Sequence, residues 1–211
     1  MATAAPVLEF DWRRPQTFLG LAMAATTSPR AFFTAMPTGG SLIPPLAFLV
    51  LAQLIPALVQ ALAQLPQHGP AALAGMLVFL LKRLIYFLIF ADLIWLMARF
   101  VSRAQLAFTD ALKIFCYSSG LWVVSAAVSV LSLAPAALVI VLLVLYHLYL
   151  IQVGLQVVAK LPTFQAMLAV LLAIVGFMVL WVFLAPMLGL MPEGAMPAGT
   201  GPDAAPGGPR P

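Results

Sequence analysis

Charged residues are scarce in this chain of 211 residues. Only 8% of the residues are charged, against about 25% in an ordinary soluble domain. The chain has ten Lys and Arg and six Asp and Glu, whereas 64% of it is hydrophobic. Because so few charges cannot cover a soluble fold of this size, most of the surface is expected to face lipid or another apolar partner. The cations are scattered, and no basic cluster indicates nucleic-acid binding.

Several residue types that carry chemistry are also scarce. The single cysteine, Cys116, excludes an intrachain disulfide and a thiolate metal cluster, and the two histidines have no metal-ligand spacing. Glycine-rich phosphate loops are missing, so nucleotide-driven chemistry is not expected. Asparagine is absent and alanine is abundant, which is typical of a GC-rich prokaryotic genome. We therefore predict no catalytic residues, no metal, no cofactor and no enzymatic activity.

Long apolar runs are what the chain has instead. A helix needs about 20 apolar residues to cross about 30 Å of hydrocarbon. Because the runs are apolar at odd and even positions alike, they favour helices over the strands of a barrel. The predicted fold is an all-α integral membrane protein, a bundle of five transmembrane helices with a short N-terminal interfacial helix. The five runs are Leu42–Leu65, Leu84–Val101, Ile114–Leu133, Pro135–Val158 and Phe164–Leu190.

The chain divides into three predicted regions. Residues 1–40 form a cytoplasmic segment, 41–190 form the bundle, and 191–211 form a tail rich in Pro, Gly and Ala that is expected to be disordered. Residues 71–81 either extend the second helix or lie at the outer face. With five crossings, most cations near the spans fall on one side, which predicts a cytoplasmic N-terminus and an external C-terminus. The expected location is a prokaryotic inner or cell membrane.

The segment before the first run has the pattern of a short helix. Ser28 is suited to the N-cap and Pro29 to the first helical position. The apolar residues that follow share one face, so we expect this helix to lie flat at the cytoplasmic headgroups. Nearby cations are expected to contact the same headgroups. The residues predicted to face lipid at this surface are Phe32, Phe33, Met36, Arg99, Arg103 and Lys113.

Asp92 is the only acid inside a predicted span. An ionised carboxylate that faces lipid costs several kcal/mol, so Asp92 is expected to point into the bundle or to carry a proton. Arg99 lies nearly two turns further along the same helix face, about 10 Å away. Two roles stay open for Asp92: a structural pairing with Arg99 or a neighbouring helix, and a proton or ion relay.

A second set of polar residues follows one face of the fourth run. Tyr149, Gln152 and Gln156 have the spacing i, i+3, i+7, so they form one stripe, which is expected to face inward. Hydrogen bonding between helices would explain the stripe, and so would a polar cavity shared with Asp92. The predicted intramembrane polar cluster comprises Asp92, Arg99, Tyr149, Gln152 and Gln156.

Three stretches together resemble the Yip family of Ypt/Rab-interacting membrane proteins, in its prokaryotic branch. They are SPRAFFTAMPTGGSLIPPLAFL before the first run, FTDALKIFCYSSG entering the third, and YLIQVGLQVVAKLPTFQAMLAVLL joining the fourth to the fifth. The family has an aromatic pair, a Cys-Tyr element, and a Gly-Leu element followed by a proline. The matching residues are Phe32 and Phe33, Cys116 and Tyr117, Gly154 and Leu155, and Pro162 to Ala166.

The resemblance implies a five-helix bundle without known enzymatic chemistry. Eukaryotic relatives bind small GTPases and one another, but the acidic element that those relatives carry ahead of the bundle is absent here, so GTPase binding is not expected. We predict a non-enzymatic membrane protein that acts by helix packing and by contacts with proteins and lipids. Its expected partners are the bilayer, other copies of the chain or other membrane proteins. The alternative is a small permease or channel-like component using Asp92 and the stripe Tyr149, Gln152 and Gln156.

Overall fold

The structure is a computed structural model, which describes residues 9–103, 106–130 and 136–187. Within these ranges the chain is helical and has no strand. A 3-10 turn at Ser119–Trp122 links two of the helices. The α-helices are α1 Thr17–Thr27, α2 Pro29–Ala35, α3 Ile43–His68, α4 Ala71–Ser102, α5 Phe108–Ser118, α6 Val123–Val130, α7 Ala136–Val158 and α8 Thr163–Met187.

Local sequence explains most of the helix ends. Two prolines lie in the first turn of α3, where their missing N–H groups would have no partner. Gly69 ends α3 with a positive φ of 55° that suits glycine. At the end of α4, Arg103 takes the left-handed conformation, and its backbone N–H donates to the carbonyl of Arg99. A proline at 162 precedes α8 and prevents α7 from continuing.

Four helices in the described ranges are long and apolar enough to cross a membrane: Ile43–His68, Ala71–Ser102, Ala137–Val158 and Thr163–Phe183. The predicted crossing at Ile114–Leu133 is instead a series of shorter pieces: α5, the 3-10 turn and α6. The all-helical class is therefore confirmed, whereas the count of five is not. The turn predicted at 133–135 and the tail 191–211 lie outside the described residues.

Residues 71–81 extend the second span, because α4 is one continuous helix from Ala71. Its 32 residues correspond to about 48 Å, well above the hydrocarbon thickness of about 30 Å. The helix packs against α3 on one side and α8 on the other. Its buried residues Ala91, Ile94 and Ala98 follow the i, i+3, i+7 pattern, so they define its inner face.

The N-terminal residues pack onto the bundle. Helix α1 contacts α5 and the 3-10 turn, and α2 contacts α7. Residues 9–40, named here the N-terminal cap, contribute Phe10, Phe18, Phe32 and Phe33 to the main buried core. Residues Pro29–Ala35 are helical as α2, but the predicted interfacial helix is not confirmed, because the apolar face of α2 packs on the bundle.

Candidate functional site

A cluster of aromatic rings joins the cap to the bundle. Tyr117 of α5 is fully buried, and its ring centroid lies 5.4 Å from that of Phe32 and 5.0 Å from that of Phe48. Phe10 packs edge-on against Phe48 at 5.8 Å and against Phe18 at 6.2 Å. Such offset and edge-to-face pairs contribute about 0.5–1.5 kcal/mol each beyond area burial. The cap is therefore held largely by aromatic packing.

Polar contacts fix the cap at the same place. The backbone N–H of Phe10 donates to the Tyr117 hydroxyl oxygen at 3.1 Å. Lys113, only 1% exposed, forms an ion pair with Glu9 at 2.9 Å and donates to the Pro37 carbonyl at 3.1 Å. A buried ammonium without such partners would be strongly unfavourable, so the cap carries the groups that make its burial possible.

Close backbone packing supports α5 from its other side. A Cβ added to Gly154 of α7 would lie 2.3 Å from Cγ2 of Ile114, a distance at which the neighbouring atoms must move. Ile114 is 1% exposed. Only glycine therefore lets α7 approach α5 this closely, and it holds the helix that carries Lys113 and Tyr117 against the bundle.

Of the two alternatives given for Asp92, the orientation into the bundle is wrong. The side chain is exposed and lies in a cleft of about 450 Å³ with Trp95 of α4 and Leu180 of α8. Because Ala91 belongs to the inner face of α4, Asp92 is rotated about 100° away from that face. Arg99 makes no ion pair with it; its guanidinium carbon lies 5.1 Å from the centre of the Trp95 ring.

The stripe on α7 does not face inward as a unit. Tyr149 is 46% exposed and stacks on Tyr146 at 5.6 Å, and Gln152 is half-buried. Gln156 accepts a hydrogen bond from Arg30 of α2 at 2.9 Å. The inner face of α7 is formed by other residues, which include His147, Leu150, Ile151, Gly154 and Leu155. None of the described hydrogen bonds or ion pairs brings the predicted polar cluster together.

The predicted lipid-facing set divides in two. Phe32, Phe33 and Met36 are 1%, 2% and 4% exposed, so the prediction that they face lipid is wrong. Their apolar face packs on the aromatic cluster instead. The sequence pattern did not distinguish the two cases, because protein interior and lipid are both apolar environments. The prediction is also wrong for Lys113, which is buried against Glu9. Arg99 and Arg103 are exposed, and their contact with headgroups stays a prediction.

Sequence reasoning missed Glu9 and Phe10, because their partners lie 104 and 107 positions away in the chain. One signal was available. Lys113 is flanked by apolar residues in the string ALKIF, which is typical of a cation that needs a buried acidic partner.

His147 is the most buried titratable ring of α7. It is 4% exposed, and its Nδ1 lies 3.1 Å from the Ser118 carbonyl oxygen. That distance assigns the Nδ1 proton to a hydrogen bond with the carbonyl. The ring is otherwise enclosed by Phe87, Phe115 and Trp122. Within the ranges that the structure describes, no three His, Cys, Asp or Glu side chains group as a metal site would require.

The stretches that carry the family resemblance therefore meet in space. Phe32 and Tyr117 pack ring against ring, and Gly154 fits against Ile114 beside them. No match was found among curated proteins or among solved structures. The model of the Yip1 domain matches residues 23–184, which is most of the chain. The protein therefore belongs to the Yip1 domain family and is an integral membrane protein with several apolar membrane-spanning helices.

Proposed function

We propose that the protein is a non-enzymatic membrane organiser that acts by helix packing, and that its partner in the bilayer is another copy of the chain. One observation carries this proposal: the buried polar groups of α5 hold the cap and the helix in place, whereas the outer helix faces are apolar. Lys113, Tyr117 and Ser118 each have a partner within the fold. These contacts hold the cap and α5 in place.

The outer face of α8 illustrates the surface that a second copy would meet. Val175, Met178, Val179 and Val182 are 53–65% exposed and follow i, i+3, i+4, i+7 spacing. Such a face gains little from leaving lipid, so association depends on close packing and on few polar contacts. Asp92 lies beside this surface, in the cleft between α4 and α8, and is available for a contact with a second copy.

We further propose five crossings, with α5, the 3-10 turn and α6 together forming the third. These three elements follow one another without a non-helical residue from Phe108 to Val130, about 34 Å at helical rise. An odd number of crossings puts the two termini on opposite faces. The positive-inside rule then favours a cytoplasmic N-terminus and an external C-terminus, because Arg99 and Arg103 lie at the end of α4 that shares the face of the N-terminus.

A permease is the second candidate, and the position of Asp92 is the observation in its favour. An acid at membrane depth often marks a proton or ion path, and the cleft beside it could admit water. The stripe on α7, which was predicted to continue that path, is poorly placed for it, however. Tyr149 stacks on the outer side of α7, and Gln156 is bonded to Arg30 of α2.

Energy transfer in vesicles tests the two candidates. A cysteine introduced at the exposed Arg13 can carry the donor or acceptor dye. The native Cys116 is fully buried, so the dye should not label it. At constant protein density, we expect efficient energy transfer between donor-labelled and acceptor-labelled copies. The transfer efficiency should fall when unlabelled protein replaces the acceptor-labelled protein. Transfer equal to that of randomly placed copies would contradict self-association. Proton flux that exceeds protein-free vesicles and disappears with Asp92→Asn would favour the permease.

A further inference from the structure

Arg83 lies in the middle of α4 and has an unusual environment. Its guanidinium carbon is 4.9 Å from the centre of the Trp122 ring, 5.6 Å from that of Phe79 and 5.8 Å from that of Phe87. The side chain is half-buried. Aromatic faces attract a cation, but they leave the hydrogen-bond donors of the guanidinium edge available.

No acid neutralises this cation among the residues that the structure describes. Asp92 is the nearest acid in sequence, but it lies nine positions (92 − 83) along the same helix. That spacing corresponds to about 13 Å and to the opposite helix face. The ion pairs found in the described ranges join Arg14 to Asp11 and Lys113 to Glu9. A cation in an apolar setting without an acid favours an anion from outside the chain.

A cleft with both polar and apolar lining residues includes Arg83. Its volume is about 440 Å³, and it is formed by α3, α4, α6, α7 and the 3-10 turn. The carboxamides of Gln60 and Gln64 line it together with Arg83 and Trp122. Guanidinium and amide N–H groups are all donors, and a guanidinium edge matches the oxygens of a phosphate in geometry. The cleft therefore has the chemistry of a phosphate site.

An apolar cavity adjoins this cleft across the Trp122 ring, which lines both. It measures about 280 Å³ and exposes no polar surface. Phe87, which also contacts Arg83, lines this cavity with Phe90, Phe177 and the ring of His147. At its rim Met178 and Val144 are 65% and 39% exposed, so the cavity opens towards the surrounding lipid. It is suited to a hydrocarbon chain.

We propose that the cleft and the cavity together bind one anionic phospholipid. The phosphate contacts Arg83 and the two glutamine amides, and one acyl chain enters the aromatic cavity beyond Trp122. The depth is consistent with a headgroup: Arg83 lies 16 positions (99 − 83) from Arg99, about 24 Å, so the two arginines approach opposite faces of the hydrocarbon. The site requires a membrane-spanning chain but not the self-association proposed above.

Native mass spectrometry of the full chain in nonionic detergent tests this site. The probes are dioleoyl phosphatidylglycerol, dioleoyl phosphatidylcholine and inorganic phosphate. We expect phosphatidylglycerol to be retained at least about tenfold better than phosphatidylcholine, because both lipids carry the phosphate but the choline ammonium of the second is repelled by the Arg83 cation. Millimolar inorganic phosphate should not displace the phosphatidylglycerol, because the acyl chain of the lipid contributes to binding. Equal retention of the two lipids, or displacement by free phosphate, would contradict the proposal.

Two matched pairs of variants localise the site. Arg83→Gln should lower phosphatidylglycerol retention about tenfold, whereas Lys82→Gln, which removes an exposed neighbouring cation outside both cavities, should change it less than about twofold. Val144→Trp should fill the apolar cavity and reduce retention, whereas Val141→Trp on the exposed side of the same helix should not. Equal effects within either pair would overturn the assignment. Self-association can be measured separately, so the two proposals can fail independently.

Discussion

Gly154→Ala is expected to destabilise the bundle although it adds only one methyl group. The new Cβ would lie 2.3 Å from Cγ2 of Ile114 and 3.2 Å from its Cγ1. An ordinary carbon contact is about 3.5–4.0 Å, so the two helices or the isoleucine must move by more than 1 Å. Ile114 cannot easily turn away, because it is buried and a β-branched side chain in a helix has essentially one χ1 rotamer.

The magnitude follows from two opposing effects. Overpacking of a well-packed interior costs about 1–3 kcal/mol, and a contact this short places Gly154→Ala in the upper part of that range. Replacing a helical glycine by alanine returns about 1 kcal/mol of intrinsic helix stability. We therefore expect a net loss of about 1–2 kcal/mol in the free energy of unfolding. Reversible unfolding in mixed micelles, followed by tryptophan fluorescence, measures this quantity.

Gly176→Ala on α8 is the matched control. The nearest atom to its new Cβ would be Cδ2 of Leu93 at 3.6 Å, which is an ordinary contact. This substitution should be neutral or stabilising by up to about 1 kcal/mol. The double variant Gly154→Ala with Ile114→Ala should lose less than the sum of its single changes, because the shortened side chain removes the clash. Equal effects of the two glycine substitutions would refute the close approach of α7 to α5.

Four further substitutions test the attachment of the cap. Glu9→Gln should cost about 2 kcal/mol, since buried Lys113 loses its anion, and adding Lys113→Met should recover part of this loss in a thermal melt. Tyr117→Phe leaves the N–H of Phe10 without its acceptor; we expect a loss of about 1 kcal/mol and faster tryptic cleavage within the cap, and unchanged cleavage would contradict the contact. Tyr146→Phe removes a half-exposed hydrogen bond of 2.6 Å to the last turn of α1, so the loss should stay below about 1 kcal/mol in the same melt.

The membrane-spanning helices could be predicted because their hydropathy is visible in the sequence alone. A run of about 20 apolar residues is visible without knowing any contact, and α3, α4, α7 and α8 all have such runs. The break after Ser118 could not be predicted in the same way. The turn Ser119–Trp122 lies inside a long apolar run, and no proline or charged residue marks the place where the helix type changes.

The rotation of each helix was much harder to predict. An amphipathic helix in water reveals its inner face by polarity, but α8 is apolar on all sides and the few charges of α4 do not share one face. For Asp92 the guide is the cost of exposing an ionised carboxylate to lipid, and that cost does not specify a helix face. For Phe32 and Phe33 the pattern was correct, but it could not distinguish a protein interior from lipid. Lys113 was misplaced because its acid is remote in sequence.

The cap also indicates where the folding unit begins. The family match starts at residue 23, yet Glu9, Phe10 and Phe18 lie before it and contact the core directly. Without them Lys113 would remain buried with only the Pro37 carbonyl as partner, which is not enough to offset the desolvation of an ammonium. The ring that packs against Phe32 would also lose a contact, because Tyr117 contacts both Phe32 and the backbone of Phe10. The stable unit of this protein therefore extends at least from residue 9 rather than from the start of the family match.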